Sequence, residues 1–253
     1  MVRYIALAIL ALFLLLSAVW QPRDPDAVDM LVRHSGITVQ HLLGTDHLGR
    51  DLLSRLMAGG WRTALVVLSV GVIAFTGGTL LGAGAAVLGG WQERAALRCC
   101  EFFITVPTLI IALTAAAIFG LTPITAGVAL GLAGIGPTAL LAHSLSRRVL
   151  EQPFIHAAQA LGVRPLRMVL RHLLPNILPL MATHTGNQAG FAVTAYASLA
   201  FIGLGADPSK PDWGSMLFEY RVFIFDHPSL MIWPGIAIAV TVATLNTVFD
   251  APD

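Results

Sequence analysis

The residues of this 253-residue chain that could do chemistry lie in two polar stretches set among long apolar runs. The first, Glu151 to Pro179, is basic and polar. The second lies inside an apolar run, where His184, Asn187 and Gln188 are separated by three and four positions and so share one helical face. Positive charge and hydrogen-bonding groups of this kind can hold a partner or a polar solute, but they form no set of groups that breaks bonds.

Catalytic, nucleotide and metal sites are not expected. No GxxxxGK[ST] motif is present, so nucleotide binding is not encoded in this chain, and no HExxH motif or Cys/His cluster predicts a metal. The adjacent Cys99 and Cys100 form neither a disulfide framework nor a zinc pattern. We therefore expect no catalytic residues, no cofactor, no bound metal and no enzymatic activity. The net charge of +1 gives no reason to propose nucleic-acid binding.

Composition places the chain in a lipid bilayer. Hydrophobic residues make up 56% and charged residues 11%, far below the roughly 25% charged residues of soluble domains. The apolar runs predict an all-α membrane protein with about six transmembrane helices, over residues 4–20, 64–88, 102–121, 124–142, 177–204 and 230–248. We divide the chain into a first transmembrane helix (1–20), a periplasmic segment with an amphipathic helix (21–62) and a transmembrane core (63–253).

The first apolar run has two interpretations. Tyr4 to Trp20 is just long enough to cross a bilayer core, and Trp20 suits an interfacial anchor. Met-Val-Arg followed by apolar residues also fits a cleaved signal peptide. Since Val19 and Trp20 occupy the region where a small-x-small cleavage site would stand, a retained helix is favoured.

The polar segment before the second span predicts a short surface helix. Thr45 or Asp46 can cap its start. Leu52, Leu53 and Leu56 share one face, which is typical of an amphipathic helix lying on a membrane surface.

Residues 151–179, which we call the elbow, predict two short helices joined by a turn. Pro153 and Pro165 each suit a first helical turn, and Gly162 between them can end the first helix in the left-handed conformation. A basic island between two spans is expected in the cytoplasm. The simpler alternative is a cytoplasmic connector whose arginines only obey the positive-inside bias.

Two further patterns also have a simpler interpretation. The face of His184, Asn187 and Gln188 is a candidate lining of a translocation path, or it only forms hydrogen bonds between helices. Gly78 and Gly82 have the spacing of a close helix contact, for which packing within the chain is favoured over a dimer motif.

The elbow resembles the loop that the membrane subunits of ABC importers share, called the EAA loop. His156-Ala157-Ala158, Gly162 and His172-Leu173-Leu174-Pro175 keep its spacing, with His156 in place of the usual Glu and His172 in place of an apolar residue. The resemblance implies that Ala157, Ala158, Gly162 and Pro175 couple the chain to a separate ATPase. It also implies the fold of a type I ABC importer permease.

Two other stretches resemble the dipeptide, oligopeptide and nickel branch of these importers. They are GTDHLGRDLLSRL at 44–56, and Ser198 to Gly205 followed by Trp213-Gly214, and the nickel-type permeases look most similar. The resemblance implies an inner-membrane permease with both termini in the cytoplasm, acting by alternating access. The implied partners are a second permease subunit, two ATP-binding subunits and a periplasmic substrate-binding protein.

Two other classes of function stay open. A secondary transporter or channel would work without an ATPase, and it would predict an internal inverted repeat that we do not find. Relatives usually continue past Asp250–Asp253 with a polar tail, so a structural or defective, non-transporting copy is the other alternative.

Overall fold

The computed structural model describes residues 2–204 and 209–249, and these ranges are helical apart from turns and loops. The helices are α1 (Val2–Val19), α2 (Leu52–Leu88), α3 (Gly90–Thr105), α4 (Thr108–Phe119), α5 (Pro123–Leu150), α6 (Pro153–Ala160), α7 (165–201), α8 (Trp213–Tyr220) and α9 (Ser229–Phe249). Short 3-10 turns cover Met30–Val32 and Arg221–Phe223. The all-α fold class is confirmed. Gly205, the last residue of the resembling stretch Ser198 to Gly205, and the chain end Asp250–Asp253 lie outside the described residues.

Three of the described helices, α2, α5 and α9, are long and apolar enough to cross a bilayer. The third expected span, 102–121, is not one straight helix. Instead α3 and α4 meet at a 77° bend, and together they would count as a fourth span. The break falls at Val106, which has extended backbone angles, because the ring of Pro107 disfavours the helical conformation of the residue before it.

The other two expected spans meet the same criteria less well. In α1 the apolar stretch Leu7–Val19 is shorter than a full span. The final α-helical part of α7, Leu174–Phe201, has 28 residues, so its many polar side chains rather than its length lower its hydropathy. The count of six therefore stays approximate.

The short surface helix expected before the second span is not separate. Residues 52–62 begin α2, which continues for 37 residues with one π-helical segment, Ile73–Gly77. Its N-cap is Asp51 rather than Thr45 or Asp46, since the Asp51 carboxylate accepts hydrogen bonds from the Ser54 backbone N–H at 2.9 Å and from the Ser54 hydroxyl at 2.7 Å. Leu52 and Leu56 pack inside the protein, which explains the amphipathic pattern without a membrane surface.

The described chain separates into two compact units. The first comprises Met1–Val67, Ala115–Ala126 and Gly190–Val248. Its core centres on Trp213, which is 1% exposed and donates a hydrogen bond from its indole nitrogen to the Leu56 carbonyl at 2.9 Å. A Cβ at Gly59 would lie 2.7 Å from the Trp213 ring, so only glycine lets the ring approach α2 this closely.

The second unit comprises Leu68–Thr114, Gly127–Ala189 and Phe249–Asp253. In it α2 and α5 pack almost backbone to backbone. A Cβ at Gly78 would lie 2.5 Å from the Thr138 Cβ, and one at Gly82 would lie 2.1 Å from the Ala139 carbonyl oxygen. The Gly78 and Gly82 spacing therefore serves packing within this chain, as favoured from the sequence.

Candidate functional site

The elbow between α5 and α7 has the local geometry that its prolines and glycine predict. Pro153 begins α6, where its missing N–H is not needed, and Pro165 likewise begins α7. Gly162 lies in the left-handed region with a φ of 73°. Two backbone bonds close the end of α6, from Val163 N–H to the Ala158 carbonyl at 3.2 Å and from Gly162 N–H to the Gln159 carbonyl at 2.9 Å. This pair of bonds is a Schellman motif, so the elbow is a defined turn.

The second helix of the elbow is not short. Helical Pro165–Arg167 continues without a break into the π-helical segment Met168–Leu173 and then into Leu174–Phe201. The elbow is therefore one short helix, α6, joined to the start of a long helix that also carries the polar face at 184–188. Pro179 lies inside that helix without ending it, as Pro137 does in α5.

The inner side of the elbow is packed into the second unit. Ile155 is fully buried and Ala158 is 7% exposed. They belong to one apolar cluster, which we call the elbow core, with Ala83, Ala142, Met168, Val169, Leu173, Ile177 and Met181. Because protein interiors are close-packed, a displacement of α6 must shift its neighbours in α7.

The outer side of the elbow is exposed. Of the residues singled out for coupling, Ala157, Gly162 and Pro175 are exposed, whereas Ala158 faces the elbow core. His156, which replaces the usual Glu of the loop, is exposed as well. A Cβ at Gly162 would meet nothing within 4 Å, so the requirement for glycine there comes from the backbone angle and not from crowding.

The polar face at 184–188 divides between two environments. The His184 Nε2 lies 3.3 Å from the Thr138 hydroxyl of α5, and that hydroxyl donates to the Gly134 carbonyl at 2.7 Å. The Gln188 Nε2 lies close to Gly134 as well. Asn187 is exposed. Thus His184 and Gln188 face α5, while Asn187 is the member of the face that remains open within its unit.

A buried charge network in the first unit went unrecognised in the sequence. Its hub is Asp46, whose side chain is fully buried. The Asp46 carboxylate accepts hydrogen bonds from Arg50 Nε at 2.7 Å, from the Tyr220 hydroxyl at 3.1 Å and from the backbone N–H groups of Leu48 and Arg50. Burial raises the pKa of Tyr220, which keeps this hydroxyl protonated as a donor. We call Asp46, Arg50, Arg55, Glu219 and Tyr220 the Asp46 network.

Glu219 completes the Asp46 network from α8. It pairs with Arg50 and, at 3.0 Å, with Arg55, whose side chain is 1% exposed. Arg50 stands four residues after Asp46, and this spacing is a local signal of the arrangement. Glu219 itself is 169 positions from Arg50, so no local pattern connects the two.

Histidines line the same part of the first unit. The rings of His34 and His227 stack with centroids 3.9 Å apart, and His47 stacks on Phe223 at 5.0 Å. Burial lowers the pKa of His34, helped by the proximity of His227, and burial also lowers the pKa of His47 against the opposing effect of Asp46 and Glu219. Both shifts favour the neutral form of the rings.

Asp46, His47 and Glu219 are the group of side chains that could best offer atoms to a metal in the described part of the chain. Their ligand atoms lie within 4.8 Å of one another. The same two carboxylates already pair with the guanidinium groups of Arg50 and Arg55, which place positive charge where a cation would bind. The arrangement is an ion-pair network and gives no support for a metal site.

Comparisons with known proteins agree with this architecture. Residues 78–251 match the family model described as "Binding-protein-dependent transport system inner membrane component". The nickel transport system permease protein NikC of Escherichia coli K12 is 32% identical over 247 residues, covering 98% of this chain and 89% of NikC. The probable D,D-dipeptide transport system permease protein DdpC of the same strain is 30% identical, covering 96% of this chain and 83% of DdpC.

A third relative and one solved structure extend the comparison. The glutathione transport system permease protein GsiD of Escherichia coli O1:K1 is 32% identical to this chain. The match covers 86% of this chain and 72% of GsiD. A chain of the methionine ABC transporter MetNI in an inward-facing conformation has a TM-score of 0.59 at 20% identity, covering 79% of this chain and 93% of that one. The expected fold of a type I ABC importer permease is thereby confirmed. The chain belongs to the family of binding-protein-dependent transport system inner membrane components, as a permease of the dipeptide, oligopeptide and nickel branch.

Proposed function

We propose that the elbow of this permease, residues 151–179, lies in the cytoplasm and docks on a separate ATP-binding subunit. The observation that carries the proposal is the two-sided character of α6. Ile155 and Ala158 are locked into the elbow core, while His156, Ala157 and Gly162 are presented to the outside. A partner can bind the outer side without disrupting the packing of the inner side. The chain itself needs no catalytic residue, because the partner hydrolyses ATP.

The elbow core supplies the connection from α6 to the membrane. It contains Ile155 and Ala158 of α6 together with Ile177 and Met181 of α7. His184, Asn187 and Gln188 follow on the same helix within two turns of Met181. A displacement of α6 by ATP binding in the partner would therefore move the polar face, which is the step that alternating access requires.

The polar face at 184–188 is our candidate lining of the translocation path. Exposure of Asn187 supports its direct contact with the transported molecule, since an uncovered amide in a membrane helix is costly unless it meets water or a polar solute. His184 and Gln188, which face Thr138 and Gly134, would fix the helix pair that carries Asn187.

The substrates we propose are nickel ions, metal chelates or di- and oligopeptides, the classes carried by the branch that the sequence resembles. A second, similar permease subunit would complete the path, two ATP-binding subunits would drive it, and a periplasmic binding protein would deliver the substrate. The chain would then lie in the bacterial inner membrane with both termini in the cytoplasm.

Uptake measurements test this function. We expect deletion of this chain to abolish uptake of radioactive nickel, and an excess of unlabelled dipeptide to leave wild-type nickel uptake unchanged if the substrate is nickel or a chelate. Competition by dipeptides, or loss of dipeptide uptake alone, would assign the peptide class. Uptake of both substrates unaffected by deletion, or uptake that persists when ATP hydrolysis is blocked, would contradict the proposal.

A further inference from the structure

Positive charge is concentrated on the outer side of the elbow. The elbow holds Arg164, Arg167 and Arg171, and Arg147 and Arg148 lie just before it at the end of α5. The single acid in residues 147–172 is Glu151, whereas the whole chain has a net charge of only +1. All five guanidinium groups are exposed. In the described part of the chain none of the five forms an ion pair, although Arg98, also exposed, pairs with Glu101 at 3.0 Å. The elbow therefore presents cations that the chain itself leaves uncompensated.

Large apolar side chains are exposed among these arginines. Leu161 is 85% exposed, Leu166 is 70% exposed and Leu170 is 51% exposed. Leu166 and Leu170 are four positions apart, and Arg167 and Arg171 repeat that spacing one residue later. Exposed apolar and cationic side chains thus lie next to one another along the start of α7. Arginine is enriched at protein interfaces, whose buried cores are also more apolar than the rest of the protein surface.

A membrane surface is a poorer match for this pattern. A helix that lies on lipid directs one apolar face to the bilayer and a separate charged face to water. Here the apolar face formed by Met168, Val169 and Leu173 is already buried in the elbow core. What remains is a mixed surface, and the positive-inside bias alone would not require exposed leucines beside the arginines.

We propose that the outer side of the elbow recognises an acidic groove on the ATP-binding subunit, with Arg164 and Arg167 as ion-pair donors and Leu161 and Leu166 as apolar anchors. This inference rests on the proposed function, because it describes the partner of the same docking surface. His156 agrees with it, since a histidine in place of the usual Glu removes a negative charge that an acidic groove would repel.

The test uses two charge reversals of equal size. Arg164→Glu with Arg167→Glu changes the elbow, and Arg94→Glu with Arg98→Glu changes two exposed arginines of α3 by the same total charge. The full chain is placed in nanodiscs of phosphatidylcholine and, in a parallel series, in nanodiscs that also contain the anionic lipid phosphatidylglycerol. The ATP-binding subunit of the same transporter is first identified through ATP-dependent uptake and then purified. The dissociation constant of its complex with the chain is measured at about 50 mM and about 400 mM salt.

We expect the wild-type dissociation constant to rise with salt, because screening weakens the ion pairs. The elbow reversal should weaken binding at least about tenfold, and the α3 reversal less than about threefold, since each lost contact between close opposite charges has a large effect at an interface. A compensating reversal of acidic residues in the groove should restore binding to the elbow variant.

Three results would overturn the inference alone. The first is unchanged binding by the elbow variant, and the second is wild-type binding that does not depend on salt concentration. The third is a binding defect that appears only in nanodiscs containing anionic lipid, which would assign the arginines to the membrane. Failure of the wild-type chain to bind the ATP-binding subunit at any salt concentration would instead contradict the proposed function itself.

Discussion

At the scale of single residues, the chain combines positions fixed by local rules with positions fixed by distant partners. Gly162 and the two prolines of the elbow act within a few residues, so their roles could be predicted from the sequence. Asp46 could not, because it was interpreted as a helix cap. Its actual partners include Tyr220, which folding alone brings within 3.1 Å. The conformational requirement at Gly162 was thus visible locally, whereas the charge network was not.

The Asp46 network makes a prediction about stability. Asp46→Asn replaces one carboxylate oxygen by an NH₂ group that cannot accept from Arg50 or Tyr220, and it leaves a buried guanidinium less well compensated. Breaking a buried ion pair in this way costs on the order of 3 kcal/mol. We expect a clear drop in the melting temperature of the detergent-solubilised protein.

Glu101→Gln is the matched control for Asp46→Asn. Glu101 pairs with Arg98, but the two side chains are 51% and 84% exposed. Such a surface pair contributes less than about 1 kcal/mol, so this variant should melt close to the wild type. Equal melting temperatures for the Asp46 and Glu101 variants would refute a stabilising role of the network.

At the scale of elements, two differences from expectation have two separate physical causes. The sequence divided α2 at residue 63 because polar residues precede the apolar run, but a helix can continue through a polar stretch whose side chains find partners inside the protein. The expected third span is bent at Val106, where the restriction imposed by Pro107 prevails over the continuous apolar composition. Composition located the apolar runs well and the helix ends poorly.

The contact of α2 with α5 gives a second prediction. Gly82→Val forces a side chain into the Ala139 carbonyl, so the two helices must separate or the chain must misfold. Overpacking typically destabilises by about 1–3 kcal/mol, and a clash with backbone atoms belongs at the upper end of that range. We expect strongly reduced yield of folded protein on size-exclusion chromatography. Gly84→Val, two residues along the same helix with nothing within 4 Å of its Cβ, should give a normal yield. A normal yield for the Gly82 variant would contradict the close helix contact.

The histidines of the first unit give a prediction about pH. Folding lowers the pKa values of His34 and His47 below their ordinary value of 6.5, so the unfolded segment binds protons more tightly than the folded one. The contribution of these two histidines to the free energy of unfolding is therefore fully present above pH 6.5. It is lost as the pH falls through 6.5 toward their lowered pKa values. His227, Arg33 and Arg50 oppose protonation of these rings, while Asp46 and Glu219 favour it.

Hydrogen exchange measures this effect locally. The amides of residues 30–50 should exchange faster at about pH 5.5 than at about pH 7.5, after correction for the intrinsic pH dependence of exchange. His34→Gln should reduce the difference, and His172→Gln, in the second unit, should leave it unchanged. Protection that is equal at both pH values in the wild-type protein would rule out the histidine contribution.

At the scale of the whole molecule, membership of the permease family and the transport chemistry were both accessible from the sequence. The spacing of the elbow residues encodes a turn and a packed helix, and the structure has both. Less accessible was the environment of the polar face, since helical periodicity grouped His184 and Gln188 with Asn187 but could not show that only the first two face α5.

The most direct test of the account is the number of substrate molecules transported per ATP hydrolysed by the complete transporter in proteoliposomes, with Gly162→Leu against Gly162→Asn. Leucine in the left-handed conformation costs about 1–2 kcal/mol and should distort the elbow, whereas asparagine tolerates that conformation. We predict that the leucine variant inserts normally and hydrolyses ATP but transports several-fold less substrate per ATP, while the asparagine variant stays close to wild type. A leucine variant with a wild-type ratio would contradict the claim that this elbow couples ATP hydrolysis to transport.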